Sequence, residues 1–219
     1  MKSKRILLLP AIIACMALSP AALADAIYNV SIDTAPLIGN AAGPFSLDFQ
    51  FTDGSGMNDS NNTVIVDNFN FGGGGVVGSA ITTGSVTGGL TPSGFTMTDS
   101  FFLSELTQAF TPGTALDFTV HLTGNVDSGG VPDEFSFAIF DNTGSPIPTV
   151  GLFDTLLIAD IDSSQPSLLG FASDPSRNAA GSGAPITLSA PVVTSPVPEP
   201  SALWWLGCGL LTLVLRRGR

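Results

Sequence analysis

PFSLDFQFT, residues 44–52, alternates apolar and polar residues along its length. Phe45, Leu47, Phe49 and Phe51 fall on one side of an extended chain, and Ser46, Asp48 and Gln50 on the other. Successive side chains of a strand point to opposite faces, so an apolar residue at every second position puts one face on a core and the other in water. The pattern recurs in ALDFTVHLT, residues 115–123, where Leu116, Phe118, Val120 and Leu122 oppose Asp117, Thr119, His121 and Thr123. DEFSFAIFDN, residues 133–142, repeats it with Phe135, Phe137 and Ile139. Shorter strands are expected at Ile27–Ile32, Thr63–Phe71, Val76–Ile81, Phe95–Thr98, Thr107–Phe110, Leu156–Ile161 and Ile186–Ala190.

Between these segments lie TDGSGMNDSNN, FGGGG, TPSG, TPG, DSGGVPD, DNTGSP and GSGAP. Such Gly, Asn, Asp and Pro clusters supply the positive φ or fixed bend that chain reversal needs. Residues 25–190 show no convincing 3.6-residue period. Roughly eight to ten short strands over this length predict an all-β domain, an antiparallel β-sandwich of jelly-roll-like order. A chain of 219 residues can bury a core without staples, and most of its 15 Phe are expected there.

Composition narrows the chemistry. Only 11% of residues are charged, and the formal net charge is −11, from 18 acids against 7 bases. Six of the bases stand at the ends: Lys2, Lys4 and Arg5, then Arg216, Arg217 and Arg219. Residues 25–198 therefore hold 17 acids against Arg177 alone, a formal charge of −16. That balance excludes a nucleic-acid binder working through a basic surface. With Cys15 and Cys208 both in terminal apolar runs, the middle has no thiol, disulfide or Cys-ligated zinc.

Each end has the composition of an address. MKSKR precedes the apolar ILLLPAIIACMALSP and the small-residue site Ala22-Leu23-Ala24, the three parts of a secretory signal peptide (residues 1–24) with cleavage before Asp25. A retained membrane anchor and a lipidation box at Ile12–Cys15 are the competing readings of this end. At the other end the tripeptide Pro198-Glu199-Pro200 precedes an uncharged run from Ala202 to Leu215, with Trp204 and Trp205 near its start. Arg216, Arg217 and Arg219 close the chain as a cationic stop expected to stay cytoplasmic. On hydropathy alone the run could be a short span or a buried helix.

In order and spacing, this tail, residues 198–219, resembles the PEP-CTERM sorting signal of exported proteins in Gram-negative, exopolysaccharide-producing bacteria. The resemblance implies that Pro198, Glu199 and Pro200 are recognised by exosortase, a membrane-embedded processing enzyme. It further implies that residues 202–215 form a membrane helix anchoring the precursor in the inner membrane, with the three arginines as its retention signal. YNVSIDTAPLIGNAAGPFSLDFQF, QAFTPGTALDFTVHL and FSFAIFDNTGSPIPT also resemble a group of PEP-CTERM proteins of unassigned activity, which implies one sandwich domain and no catalytic residue. The domain is expected to span 25–190, with a Pro- and Ser-rich spacer at 191–197.

Few residues carry chemistry. His121, the only histidine, falls on a polar strand face and is expected to be an exposed strand residue. No G-x-S-x-G elbow, phosphate-binding loop or H-E-x-x-H is present. Asp53, Asn58 and Asp59 in one loop, or Asp160 and Asp162 in another, could offer hard oxygen ligands to calcium. Asp127, Asp133 and Glu134 bracket a turn. No catalytic residue and no resident cofactor is expected. The reading is an exported cell-surface or matrix protein, not an enzyme, with a structural or adhesive role and weak exopolysaccharide binding. Its competitors are a secreted glycan hydrolase using a carboxylate pair and a calcium-dependent lectin-like module.

Overall fold

A computed structural model describes residues 26–56, 58–127, 130–163, 165–177 and 185–195. The alternating segments form two antiparallel sheets. The first runs in the order β13 (Val192–Thr194), β1 (Ala26–Asp33), β9 (Ala115–Leu122), β3 (Thr63–Asn70), β7 (Phe95–Thr98) and β6 (Val86–Gly88). The second runs β12 (Leu169–Gly170), β11 (Leu157–Ile161), β10 (Asp133–Phe140), β2 (Phe45–Thr52), β8 (Leu103–Thr111) and β4 (Gly75–Val76), with β5 (Ile81–Thr83) also paired to β8.

The apolar phase of each long strand faces the other sheet, and together they make one core. Phe49 of β2 lies at its centre, its ring centroid 4.5 Å from Phe137, 5.1 Å from Phe95 and 5.6 Å from Phe118. The contacts to Phe95 and Phe118 join the sheets edge-to-face, the arrangement aromatic quadrupoles favour. Nine of the 15 Phe are buried, so they supply the core as expected.

Several strands differ from the alternation. β8 begins at Leu103, well before Thr107, because Ser104 and Gln108 occupy inward positions where the pattern calls for apolar residues. Each is satisfied there: Ser104 Oγ donates to the Thr98 carbonyl at 2.8 Å, and Gln108 Nε2 to the Gly78 carbonyl at 2.8 Å. The segment 76–81 is no single strand; it breaks at Gly78, whose φ of +69° ends β4 before β5 begins. Ile186 and Leu188 are buried but join no ladder. Ser173 meets both: its Oγ donates to the Ile186 carbonyl at 3.0 Å and accepts the Leu188 N–H at 2.7 Å, and its own N–H donates to the Leu188 carbonyl at 3.0 Å. Strand β13 pairs with β1 instead, inside the stretch read as spacer.

The signal-peptide site (Ala22, Ala24, Asp25) and the sorting tail (Pro198, Glu199, Pro200, Arg216, Arg217, Arg219) lie outside the described residues. Among the described residues no helix is long and apolar enough to cross a membrane, and the expected membrane helix at 202–215 falls outside them.

Candidate functional site

One end of the sandwich gathers acids from both sheets. Asp53 follows β2 and Asp133 opens β10. The β2–β10 register pairs Thr52 with Glu134, so one residue further Asp53 stands opposite Asp133. Asp127 enters from the β9–β10 connection, Asp59, Asn61 and Asn62 from the β2–β3 connection, and Asp99 directly follows β7. One oxygen from each of Asp53, Asp127 and Asp133 lies within 4.8 Å of the others. Asp53 and Asp133 are only 2% and 1% exposed, while Asp127 is half-buried.

Amide hydrogens orient these carboxylates. The Gly54 N–H donates to Asp133 Oδ1 at 2.7 Å, the Gly56 N–H to Asp127 Oδ2 at 3.0 Å, and the Asn58 N–H to Asp53 Oδ2. The loop can lie this close because residue 54 is glycine: a Cβ there would sit 2.3 Å from the Val131 carbonyl oxygen. Asn61 Nδ2 donates to Asp59 Oδ2 at 2.9 Å and to Asp127 Oδ1. Asn62 Nδ2 donates to Asp133 Oδ2 at 2.8 Å and to the Asn125 carbonyl at 2.7 Å.

Negative charge here is poorly compensated. Asp53 Oδ1, Asp99 Oδ1 and Asn61 Oδ1 are buried without a hydrogen-bond partner. Burial pushes the Asp99 carboxyl up to about 6 against the Asn62 N–H that it accepts, and the Asp133 charge adds to the rise. Burial likewise raises Asp53, opposed by the Asn58 N–H and reinforced by the charges of Asp133, Asp59 and Asp127. The one base between residues 25 and 198, Arg177, is committed to Asp154, donating to its two oxygens at 2.6 and 2.9 Å.

A second feature lies on the outer face of the β2–β8–β10 sheet. A groove of about 210 Å³ is lined by Asp48, Gln50, Ser136, Phe140, Phe153 and Thr155, among others. Asp48 is buried and accepts Thr107 Oγ1 and Gln50 Nε2, both at 2.7 Å; Gln50 also reaches Glu105 Oε1 at 3.4 Å. Burial raises both acids, and in Glu105 the charge of Asp48 adds to the rise. Glycosidase carboxylates stand ~5–10 Å apart to admit substrate between them. Asp48 and Glu105 are bridged by Gln50 Nε2, which donates to both. At the rim, Phe153 is 77% exposed and held at φ +61°, a conformation uncommon for a bulky residue. The adjacent Asp154, also at positive φ, carries the Arg177 fork and accepts the Thr149 N–H at 3.1 Å, which pins the turn.

Of the calcium candidates read from sequence, only Asp53 joins the three-carboxylate group; its companions are Asp127 and Asp133, from the ends of the turn that they bracket. Asn58 contributes its backbone N–H, and Asp59 lies one hydrogen bond away through Asn61. Asp160 is exposed and pairs opposite Glu134, whose carboxyl is raised by burial and by the Asp160 charge; Asp162 is exposed beyond the end of β11. His121 is half-buried, with Nε2 3.4 Å from Asp67 Oδ1. Comparison with protein-family models, curated proteins and solved structures gives no match for this chain.

Proposed function

We propose that this chain is an exported surface protein of a Gram-negative bacterium. Signal peptidase cleaves it after Ala24, a terminal helix anchors the precursor in the inner membrane, and exosortase processes it at Pro198-Glu199-Pro200 for the cell surface or matrix. The sandwich, jelly-roll-like in order, serves there as a structural or adhesive module that binds glycan weakly and performs no catalysis. The groove is the observation that carries the glycan reading. The Phe153 ring offers an exposed apolar face at the rim, and the polar side chains of Asp48, Gln50, Ser136 and Thr155 line the floor beside it. Stacking on an exposed ring above a polar floor suits a hydroxyl-rich chain, and so open and small a groove suits weak, repeated contacts better than tight capture.

Affinity electrophoresis of the protein in gels containing host exopolysaccharide tests the adhesive reading. Retardation that Phe153→Ala abolishes is expected; equal mobility with and without polysaccharide overturns it, and release of reducing ends overturns the non-catalytic assignment. For sorting, Glu199→Ala is expected to leave the precursor unprocessed in the inner membrane. An unchanged mature terminus and location would remove the exosortase assignment.

A further inference from the structure

We propose that Asp53, Asp127 and Asp133 form a binding site for one Ca²⁺, tying the β2–β3 connection to the β9–β10 connection at the end of the sandwich. The geometry meets the first requirement. Oxygens bound to one Ca²⁺ at ~2.4 Å stand at most about 4.8 Å apart, twice the bond length. The three carboxylates offer oxygens within that spacing.

An orphaned oxygen points the same way independently. Asp53 is 2% exposed, and its Oδ1 has no hydrogen-bond donor. A carboxylate oxygen withdrawn from water needs a donor or a cation, since burial without either costs several kcal/mol. The middle of the chain supplies no side-chain cation to meet that need. Arg177, the only Lys or Arg between residues 25 and 198, forks onto Asp154, and His121 faces Asp67. Asp59 and Asp99 add two further acids at the same end of the sandwich, Asp59 close to Asp53 and Asp99 close to Asp133. A divalent ion compensates several of these charges at once.

The donor set selects the ion. All three ligands are carboxylate oxygens, with no cysteine in the domain, which favours a hard cation over zinc or copper. They arise from strand ends and irregular loops, an arrangement that the variable geometry of Ca²⁺ tolerates and the strict octahedron of Mg²⁺ does not. The N–H groups of Gly54, Gly56 and Asn58 each occupy one site on a carboxylate and fix its orientation, leaving other lone pairs for metal. Asn61 is the neighbouring neutral group. Its amide nitrogen lies on Asp59 and Asp127 while its own Oδ1 is buried and unpartnered. A half-turn of that amide would present the oxygen to a cation beside Asp127.

The test uses the full-length chain, stripped with chelator and desalted, in thermal melts and isothermal titration with CaCl₂ or MgCl₂. One Ca²⁺ per chain is expected, and a Tm rise of roughly 5–10 °C at a hundredfold excess over Kd. Mg²⁺ should give a much smaller shift. Asp127→Asn, at a half-exposed loop position, should keep the fold and weaken Ca²⁺ binding by about tenfold or more, while Asp160→Asn should bind as the unaltered chain does. Absence of both heat and Tm shift at about 10 mM, beyond the range of extracellular calcium modules, overturns the site. So does an Asp127→Asn protein that responds like the parent, and an equal response to Mg²⁺ overturns the choice of ion. Should Asp127→Asn not fold, the stoichiometry and ion preference of the unaltered chain still decide the matter.

Discussion

Asn62 donates its side-chain amide to Asp133 Oδ2 at 2.8 Å, joining the residue before β3 in one sheet to the first residue of β10 in the other, with both side chains buried. The same amide nitrogen donates to the Asn125 carbonyl, and its Oδ1 accepts Thr123 Oγ1 and the Asn125 N–H, each at 3.0 Å. All four hydrogen-bonding positions of an asparagine amide are thus filled. Asn62→Ala would strand a buried carboxylate, a hydroxyl and two backbone groups. A loss of about 2–4 kcal/mol is expected, read as a lower midpoint in urea unfolding.

Gly54 tests the close approach of the two connections. A Cβ there would lie 2.3 Å from the Val131 carbonyl oxygen and 2.4 Å from that of Pro132, and a backbone carbonyl cannot swing aside as a side chain can. Gly54→Ala should destabilise by about 2–3 kcal/mol. Gly89, where a Cβ would meet nothing within 4 Å, is the matched control: Gly89→Ala should stay within about 0.5 kcal/mol.

The pH dependence has a definite sign. Asp99 titrates at about 6 in the fold, above its ordinary 3.8, so between those values the folded state binds more proton than the unfolded one. Stability without divalent cations should therefore fall as pH rises from about 4 to 6, and the penalty should be complete above 6. The raised carboxyls of Asp53, Asp48, Glu105 and Glu134 act in the same direction. Denaturation midpoints at pH 5 and pH 7 check this, the former expected higher. Asp99→Asn should flatten the slope, since an amide oxygen can still accept the Asn62 N–H.

Phe49 has ring contacts within both sheets. Phe49→Ala would open a cavity where Phe95, Phe118 and Phe137 meet, at a cost of about 3–5 kcal/mol by calorimetry or denaturant unfolding.

Arg177 holds the turn that carries Phe153 through its fork on Asp154 and its Nη1 donation to the Thr149 carbonyl at 3.2 Å. Arg177→Ala should leave the far-UV spectrum unchanged and reduce polysaccharide retardation nearly as much as Phe153→Ala does. Unchanged retardation would show that the turn holds its shape without the clamp.

The period-2 segments were legible because burial on one strand face imposes a pattern that needs no partner to be read: β1, β2, β9 and β10 lie where alternation puts them. The amino-terminal half of β8 was not, since Ser104 and Gln108 satisfy themselves inside by hydrogen bonds to Thr98 and Gly78, and such bonds leave no mark in hydrophobicity. Nor could the register of each strand pair be read, because it depends on which faces meet in space.

The acidic end divides in the same way. Composition and turn chemistry alone show that residues 25–198 carry 17 acids with one base, and that Asp53 and Asp133 both stand in turn-forming stretches. That these two, far apart in the chain, face each other across β2 and β10 with Asp127 beside them, and that Arg177 is engaged elsewhere, follows only once the sheets are packed. Charge is a property of composition. Uncompensated charge depends on burial and neighbours, and those are set only when the sheets pack.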